Sequence, residues 1–273
     1  MSDRFGPLVD AGWLREHLHD KALRVIDFRW YLQGRNGRDE YMRGHIPGAV
    51  FVDLESITGK EGAGRHPLPT AAQFERETRR AGVGPATSVV VYDDTGGSVA
   101  ARLWFLLGYF GHAAQAVLDG GLQAWGEPLE TGVPTVEPAE FAAGEPDTRR
   151  VVDFETVRHL SGVPVLDARA GERYRGETEP IDPKAGHIPG ALSAPYAGNL
   201  RSDGRFKSAQ ELRRRYEELG ASDGAVVYCG SGVNACHHML AMEVAGIAGG
   251  RLYAGAWSDW SRRDAPVAIG PEP

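Results

Sequence analysis

The chain reads as two tandem α/β domains, each a mainly parallel sheet flanked by helices, and three observations carry that reading. Short apolar, β-branched runs, as in Ser88-Val89-Val90-Val91-Tyr92 and Ala225-Val226-Val227-Tyr228, alternate with helical patterns in which Leu212, Tyr216 and Leu219 share one face. The same words recur in the same order in each half, which points to a duplicated unit. Between the halves, residues 127–150 carry Pro128, Pro134, Pro138 and Pro146 among acidic residues, the composition of an inter-domain linker. This divides the chain into a first domain over residues 1–140 and a second over 141–273.

Taken in order, the first half runs VIDFRW, RGHIPGAVFVDL, an amphipathic stretch, SVVVYDD, an apolar helix and LDGGLQAW. The second runs VLDARAGERY, AGHIPGALSAPY, SAQELRRRYEELG, AVVYCGSG, an apolar helix and YAGAWSDW. Gly44 thereby matches Gly186, Tyr92 matches Tyr228, and Trp125 matches Trp260; two short length changes bring the copies into register. His45 and His187 precede Ile-Pro-Gly in both halves, so they read as architecture of a turn. Trp125 and Trp260 each close a repeated unit and read as core.

Composition narrows the function classes. With 273 residues, 42% apolar and 25% charged, the chain has the make-up of an ordered globular enzyme. A net charge of −7 argues against non-specific nucleic-acid binding, which needs a basic face. The first residues, MSDRFGPLVD, lack a basic region followed by an apolar run, and no run of about 18 apolar residues occurs anywhere, so a cytoplasmic location without a membrane partner is expected. The two cysteines, Cys229 and Cys236, lie too close along the chain for a disulfide framework, which fits a reducing compartment.

Cys229 falls at the carboxyl end of the fourth strand-like run of the second half, where open parallel sheets place their reactive groups. The loop after it, CGSGVNA, holds Gly230 and Gly232, so successive amide N–H groups can converge on the sulfur or on an anion beside it. A helix expected directly after the loop would favour the thiolate, the nucleophilic form. The counterpart in the first half is Asp93, in DDTGGS, which has no thiol. One reactive centre per chain is therefore expected, with the first domain non-catalytic.

This repeated order resembles the tandem-domain rhodanese family of sulfurtransferases, in which an inactive first domain precedes a catalytic second one. Both GHIPGA motifs, the DGGLQAW and AGAWSDW segments and the cysteine loop carry the resemblance over nearly the whole chain. It implies that the Cys229 thiolate attacks the sulfane sulfur of an anionic donor, becomes a persulfide, and passes the sulfur to cyanide, a small thiol or a protein thiol, with ping-pong kinetics and no metal or organic cofactor. The loop N–H groups of Gly230, Ser231, Gly232, Val233, Asn234 and Ala235 would hold the negative sulfur. CGSGVNA looks like the CGSGVT form of the mercaptopyruvate-using branch, Asn234 standing for Thr, whereas the thiosulfate-using branch carries Arg and Lys where Gly230 and Ser231 stand. Arg173, in GERYRG, matches the family's carboxylate-binding arginine, and Arg175 would share its face if that segment were extended. The same branch polarises its donor with a loop serine, a histidine and a carboxylate from the first domain, which fall on Ser231, His66 and Glu55, the last an Asp in relatives. A second arginine found a little further on in those relatives has no counterpart in Glu179-Pro180-Ile181-Asp182. The donor is accordingly 3-mercaptopyruvate ahead of thiosulfate, with both open.

Other readings are weaker. Phosphatases with a related loop need an arginine where Ala235 stands. A non-enzymatic binding module would not need Cys229 in a glycine loop. Cys229, Cys236, His237 and His238 have no common metal-ligand spacing, since adjacent helical residues point about 100° apart. Cys236, inside the next helix, reads as a small packed residue. A tandem protein buries a domain interface within one chain, so a monomer is expected.

Overall fold

The repeated words fold into a repeated set of elements. A computed structural model describes residues 5–273, and the chain divides into two units. The first contains Met1–Thr58, Pro69–Pro146 and Ser202–Phe206; the second contains Gly59–Leu68, Asp147–Arg201 and Lys207–Pro273. Each unit thus takes in a short segment from the other half of the sequence, which a contiguous division at residue 140 does not include.

In the first unit the order is β1 Leu8–Val9, α1 Ala11–His17, β2 Leu23–Asp27, α2 Gly37–Arg43, β3 Val50–Phe51, α3 Ala71–Arg80, β4 Ser88–Tyr92, α4 Ala100–Tyr109, β5 Gln115–Leu118 and α5 Gly121–Trp125. The second unit repeats it: β6 Val151–Val152, α6 Phe154–Arg158, β7 Val165–Asp167, α7 Gly171–Tyr174, β8 Ala191–Ser193, α8 Ala209–Glu218, β9 Val226–Tyr228, α9 Cys236–Val244, β10 Arg251–Tyr253 and α10 Ala256–Trp260. Both sheets are parallel throughout, in the orders β1-β5-β4-β2-β3 and β6-β10-β9-β7-β8. No helix among the described residues is long and apolar enough to cross a membrane.

The strands form because apolar runs are buried on both faces: Val89, Val90, Val91, Val226 and Val227 are all fully buried. Helix starts are set by capping side chains. Thr70 accepts from the Gln73 N–H before α3, and Ser208 with Glu211 forms a capping box before α8. Trp125 and Trp260 sit in the cores of their respective units, as their closing positions suggest. The proline-rich stretch does not run free: Phe141 is buried against Phe74, and Gly144 N–H donates to Phe110 O within the first unit.

The words VIDFRW and VLDARA, the GHIPG turns and the strand-end tyrosines prove to be parts of one buried polar cluster, present twice. Asp27 at the end of β2 takes two parallel bonds from Arg29, Nε to Oδ1 and Nη2 to Oδ2, and Nη2 also donates to Gly44 O at 2.8 Å; Tyr92 donates to Asp27 at 2.7 Å and accepts the Ile46 N–H. In the second unit Asp167, Arg169, Gly186 and Ile188 repeat these contacts around Tyr228. His45 and His187 stack on Tyr41 and Tyr174 and bond to their carbonyls, which is the turn role expected for them. Burial, and then Asp167, pushes Tyr228 well above the ordinary tyrosine range, so the hydroxyl stays protonated and available as a donor.

Removing one partner of such a cluster strands a charge. Asp27→Ala leaves Arg29, only 4% exposed, without its carboxylate, and is expected to cost about 3–5 kcal/mol of stability. Chemical denaturation of the variant beside the parent measures this, and an unshifted midpoint would contradict it.

A second buried network surrounds His238 on α9. Tyr216 OH lies 2.8 Å from its Nδ1, its Nε2 is 2.7 Å from Ala194 O, and Asn199 and Arg215 complete the surroundings. Burial lowers the His238 pKa from 6.5 to about 4. Because the folded value lies below the unfolded one, the contribution is complete above pH 6.5 and lost as pH falls toward 4. His238→Asn should therefore flatten the decline of unfolding free energy between these pH values by up to about 3 kcal/mol. Parallel denaturation curves for parent and variant at both ends of that range would show equal declines if the idea is wrong.

Candidate active site

Cys229 leaves the sheet at the end of β9, one residue after Tyr228, so the Asp167 cluster fixes where its backbone points. Its carbonyl accepts the Trp257 N–H at 2.9 Å and the next carbonyl, of Gly230, accepts the Ser258 N–H at 2.9 Å. Two consecutive bonds therefore tie the cysteine loop to the start of α10. Trp257 reaches this position because the preceding Ala256 adopts φ +54°, the same left-handed turn that Gly121 makes with φ +58° in the first unit, where Leu122 N–H meets Asp93 O at 2.8 Å. For an alanine that conformation costs about 1–2 kcal/mol.

The loop has the length expected of CGSGVNA: α9 begins at Cys236, so seven residues from Cys229 to Ala235 lie between strand and helix. The sulfur, 3% exposed, accepts the Gly232 N–H at 3.1 Å. Gly232 is required there: its φ is +81°, and a Cβ would come within 2.7 Å of Ala254 O. The amides of Gly230, Ser231, Val233, Asn234 and Ala235 donate to no acceptor among the described residues, and so are available to an anion. Cys236 is fully buried, with its thiol 3.4 Å from Gly232 O.

The first unit shows what such a loop does with an anion. Asp93, fully buried, takes the N–H groups of Thr95 at 2.9 Å and of Gly97, Val99 and Ala100 at 2.8 Å on its own carboxylate. Its loop is filled from within. Burial pushes this carboxyl upward even though the four amides favour its charge.

Arg173 lies on α7, a short helix rather than an extended segment, so it does not share a face with Arg175, which pairs with Glu177 in solvent. Glu179 receives Arg173 Nη2 at 2.6 Å and Nε at 3.3 Å, and also lies 3.3 Å from Arg169 Nη1. The buried Asp–Arg cluster is thus linked through Glu179 to Arg173, whose guanidinium faces the loop. A Cβ on Gly230 would be 3.4 Å from Arg173 Nη1 and 3.6 Å from its Nη2.

Ser231 and His66 are both buried, at 8% and 5% exposure. His66 comes with Gly59–Leu68, which belongs to the second unit although it precedes the linker in sequence. Glu55 belongs to the first unit, where it accepts from Trp30 Nε1 at 3.3 Å. The second unit therefore gathers Cys229, Gly230, Ser231, Gly232, Val233, Asn234, Ala235, Arg173 and His66, and leaves Glu55 with the first.

Two residues escaped the sequence reading. Arg65 reaches Gly230 from the same imported segment: a Cβ there would be 2.9 Å from Arg65 Nη2, and Arg65 Nη1 bonds Asp182. Ser258 holds that segment in place, its Oγ accepting the Arg65 N–H at 3.0 Å. The usable signal was a difference between copies, since Ser258 stands where the first half has Gln123.

Known proteins match at the level of the whole chain. The rhodanese-like domain family matches residues 10–128 and 153–263. A Pseudomonas aeruginosa protein named probable 3-mercaptopyruvate sulfurtransferase is 43% identical, covering 96% of this chain and 98% of its own. SseB of Mycobacterium tuberculosis, which carries a thiosulfate sulfurtransferase name, is 39% identical with 87% of each chain covered. The crystal structure of SseA from Escherichia coli, described as a 3-mercaptopyruvate enzyme with the rhodanese fold, superposes with a TM-score of 0.82 at 34% identity, covering 92% of this chain and 98% of SseA. With both sheets, both repeated turns and both matched segments in agreement, the chain belongs to the rhodanese family as a tandem of two such domains.

Proposed function

We propose that the protein is a sulfurtransferase that takes sulfur from 3-mercaptopyruvate onto Cys229 and hands it to a thiol or cyanide. The observation that carries this is the Gly232 N–H directed at the Cys229 sulfur inside a loop whose neighbouring amides have no other acceptor. A second sulfur bonded to Cys229, carrying negative charge, would meet those amides.

In the first half-reaction the Cys229 thiolate attacks the donor's sulfur. An S–S bond forms as the donor's C–S bond breaks, and its electron pair passes into the carbonyl system as the enolate of pyruvate, which takes up a proton. Ser231 and His66, buried in the second unit, are assigned to polarising the donor carbonyl. Arg173 binds the donor carboxylate. In the second half-reaction the acceptor's lone pair attacks the outer sulfur, the S–S bond breaks, and the Cys229 thiolate is returned. No net oxidation occurs. The first domain, with Asp93 occupying its own loop, does not load sulfur.

Mass spectrometry after donor treatment should find one added sulfur, about 32 Da, on the peptide bearing Cys229, absent in Cys229→Ser and retained in Cys236→Ser. Thiocyanate production by Cys229→Ser at the parent's rate would overturn the assignment. Replacing Arg173 by Ala should weaken donor binding by about 1.5–3 kcal/mol, seen as a raised KM for 3-mercaptopyruvate. Comparing kcat/KM for 3-mercaptopyruvate and thiosulfate with one acceptor tests the donor; a large preference for thiosulfate would refute it.

A further inference from the structure

We propose that Arg65 is a donor-binding residue that forms, with Arg173, a two-guanidinium seat for a single carboxylate beside Cys229. The inference rests on the sulfur-transfer reading and adds a specificity determinant to it.

Both guanidinium groups are held in place while part of each fork is unspent. Arg65 donates through Nη1 to Asp182; its Nε is buried without an acceptor, and Nη2 donates to nothing among the described residues. Arg173 spends Nε and Nη2 on Glu179 and leaves Nη1 without an acceptor. The two unspent nitrogens, Arg65 Nη2 and Arg173 Nη1, both close on the backbone of Gly230: a Cβ built there would meet them at 2.9 Å and 3.4 Å, so glycine at 230 is what lets both guanidinium groups approach the loop. Two N–H donors brought together from different residues one position after the nucleophile can share one anion in front of the loop, and a planar carboxylate can take one bond on each oxygen.

Asp182 sets the spacing. Its side chain is fully buried, bonded to Arg65 and 3.5 Å from Arg173 Nη2, so one carboxylate lies between the two arginines and relieves their repulsion. Arg65 is fixed at its backbone as well, through the bond from its N–H to Ser258 Oγ, and Ser258 N–H in turn bonds the Gly230 carbonyl. The seat is therefore built on the same loop that carries the sulfur.

The test compares 3-mercaptopyruvate with its uncharged amide analogue, 3-mercaptopyruvamide, as donors to the full-length protein and to Arg65→Ala, Arg65→Met and Arg65→Lys. The parent should prefer the carboxylate strongly. In Arg65→Ala and Arg65→Met that preference, as a ratio of kcat/KM values, should shrink about 10- to 100-fold, mostly through KM, while the amide donor is little affected. Arg65→Lys, which keeps the charge but not the fork, should fall between. An Arg65 that merely braces Asp182 would lower both donors equally in all three variants, and that result would overturn the proposal. If the parent turns over neither donor, the sulfur-transfer reading fails instead. Should Arg65→Ala not fold, Arg65→Met and Arg65→Lys decide the matter.

Discussion

The buried Asp–Arg–Tyr cluster is the constraint on which the rest of the second unit depends. Asp167 closes β7, Tyr228 closes β9, and the GHIPG turn is held by Arg169 and the Tyr228 hydroxyl, so three chain segments meet at one carboxylate. Burial works against the Arg169 charge, but Asp167 and Glu179 hold its pKa above the ordinary value. A cluster of this kind contributes little net stability over an apolar core, since desolvation offsets much of the Coulomb gain. What it contributes is geometry. Cys229 follows Tyr228 directly, and Glu179, which Arg169 also touches, carries Arg173, so the thiol and the cation facing it take their positions from one set of bonds.

The duplicate shows the same scaffold with its loop filled by its own side chain. In both units the residue after the fourth strand has its carbonyl held by an amide at the start of the closing helix, from Leu122 in one and Trp257 in the other. The side chain alone differs. Asp93 folds back onto the loop and takes four amides at hydrogen-bonding distance, whereas the Cys229 sulfur takes one and leaves the others to a ligand. A carboxylate tethered within the loop competes with any free anion at an effective concentration no solute reaches. In the proposed reading this keeps a donor out of the first unit without any change in its sheet.

Much of this was legible in sequence because the signal was written twice. Continuous apolar runs buried on both faces, the turn words and the strand-end tyrosines appear in both halves, and the strand-like runs take corresponding places in the two sheets. What periodicity could not convey was the use of segments outside their own half. Gly59–Leu68 contributes no strand or helix, and its affiliation is decided by contacts such as Arg65 N–H to Ser258 Oγ and Gly64 against Gly255 O. Reading Glu179 to Asp182 for a second arginine looked for a cation along the chain, whereas the fold supplies one from a segment more than a hundred residues earlier in the sequence. The start of α9 was legible, since the helix begins at Cys236 directly after CGSGVNA even though Ala235 before it makes no side-chain cap.

Ala256 shows where the second unit departs from the economy of the first. Gly121 makes the same left-handed turn at no steric cost, so the duplicate had a strain-free solution available. Ala256 is fully buried, and burying its methyl contributes roughly 0.8 kcal/mol, which only partly offsets the about 1–2 kcal/mol of the conformation. The remainder is held by what flanks it: Trp257, fully buried with its indole N–H on Lys184 O, and Ser258, bonded to Gly230 and to Arg65. A stiffer residue at this turn narrows the backbone's freedom at the point from which two successive amides reach the cysteine loop. Strain of this size is tolerated where the surroundings over-determine the backbone, and here it lies next to the sulfur-bearing loop and has no counterpart in the unit whose loop is already full.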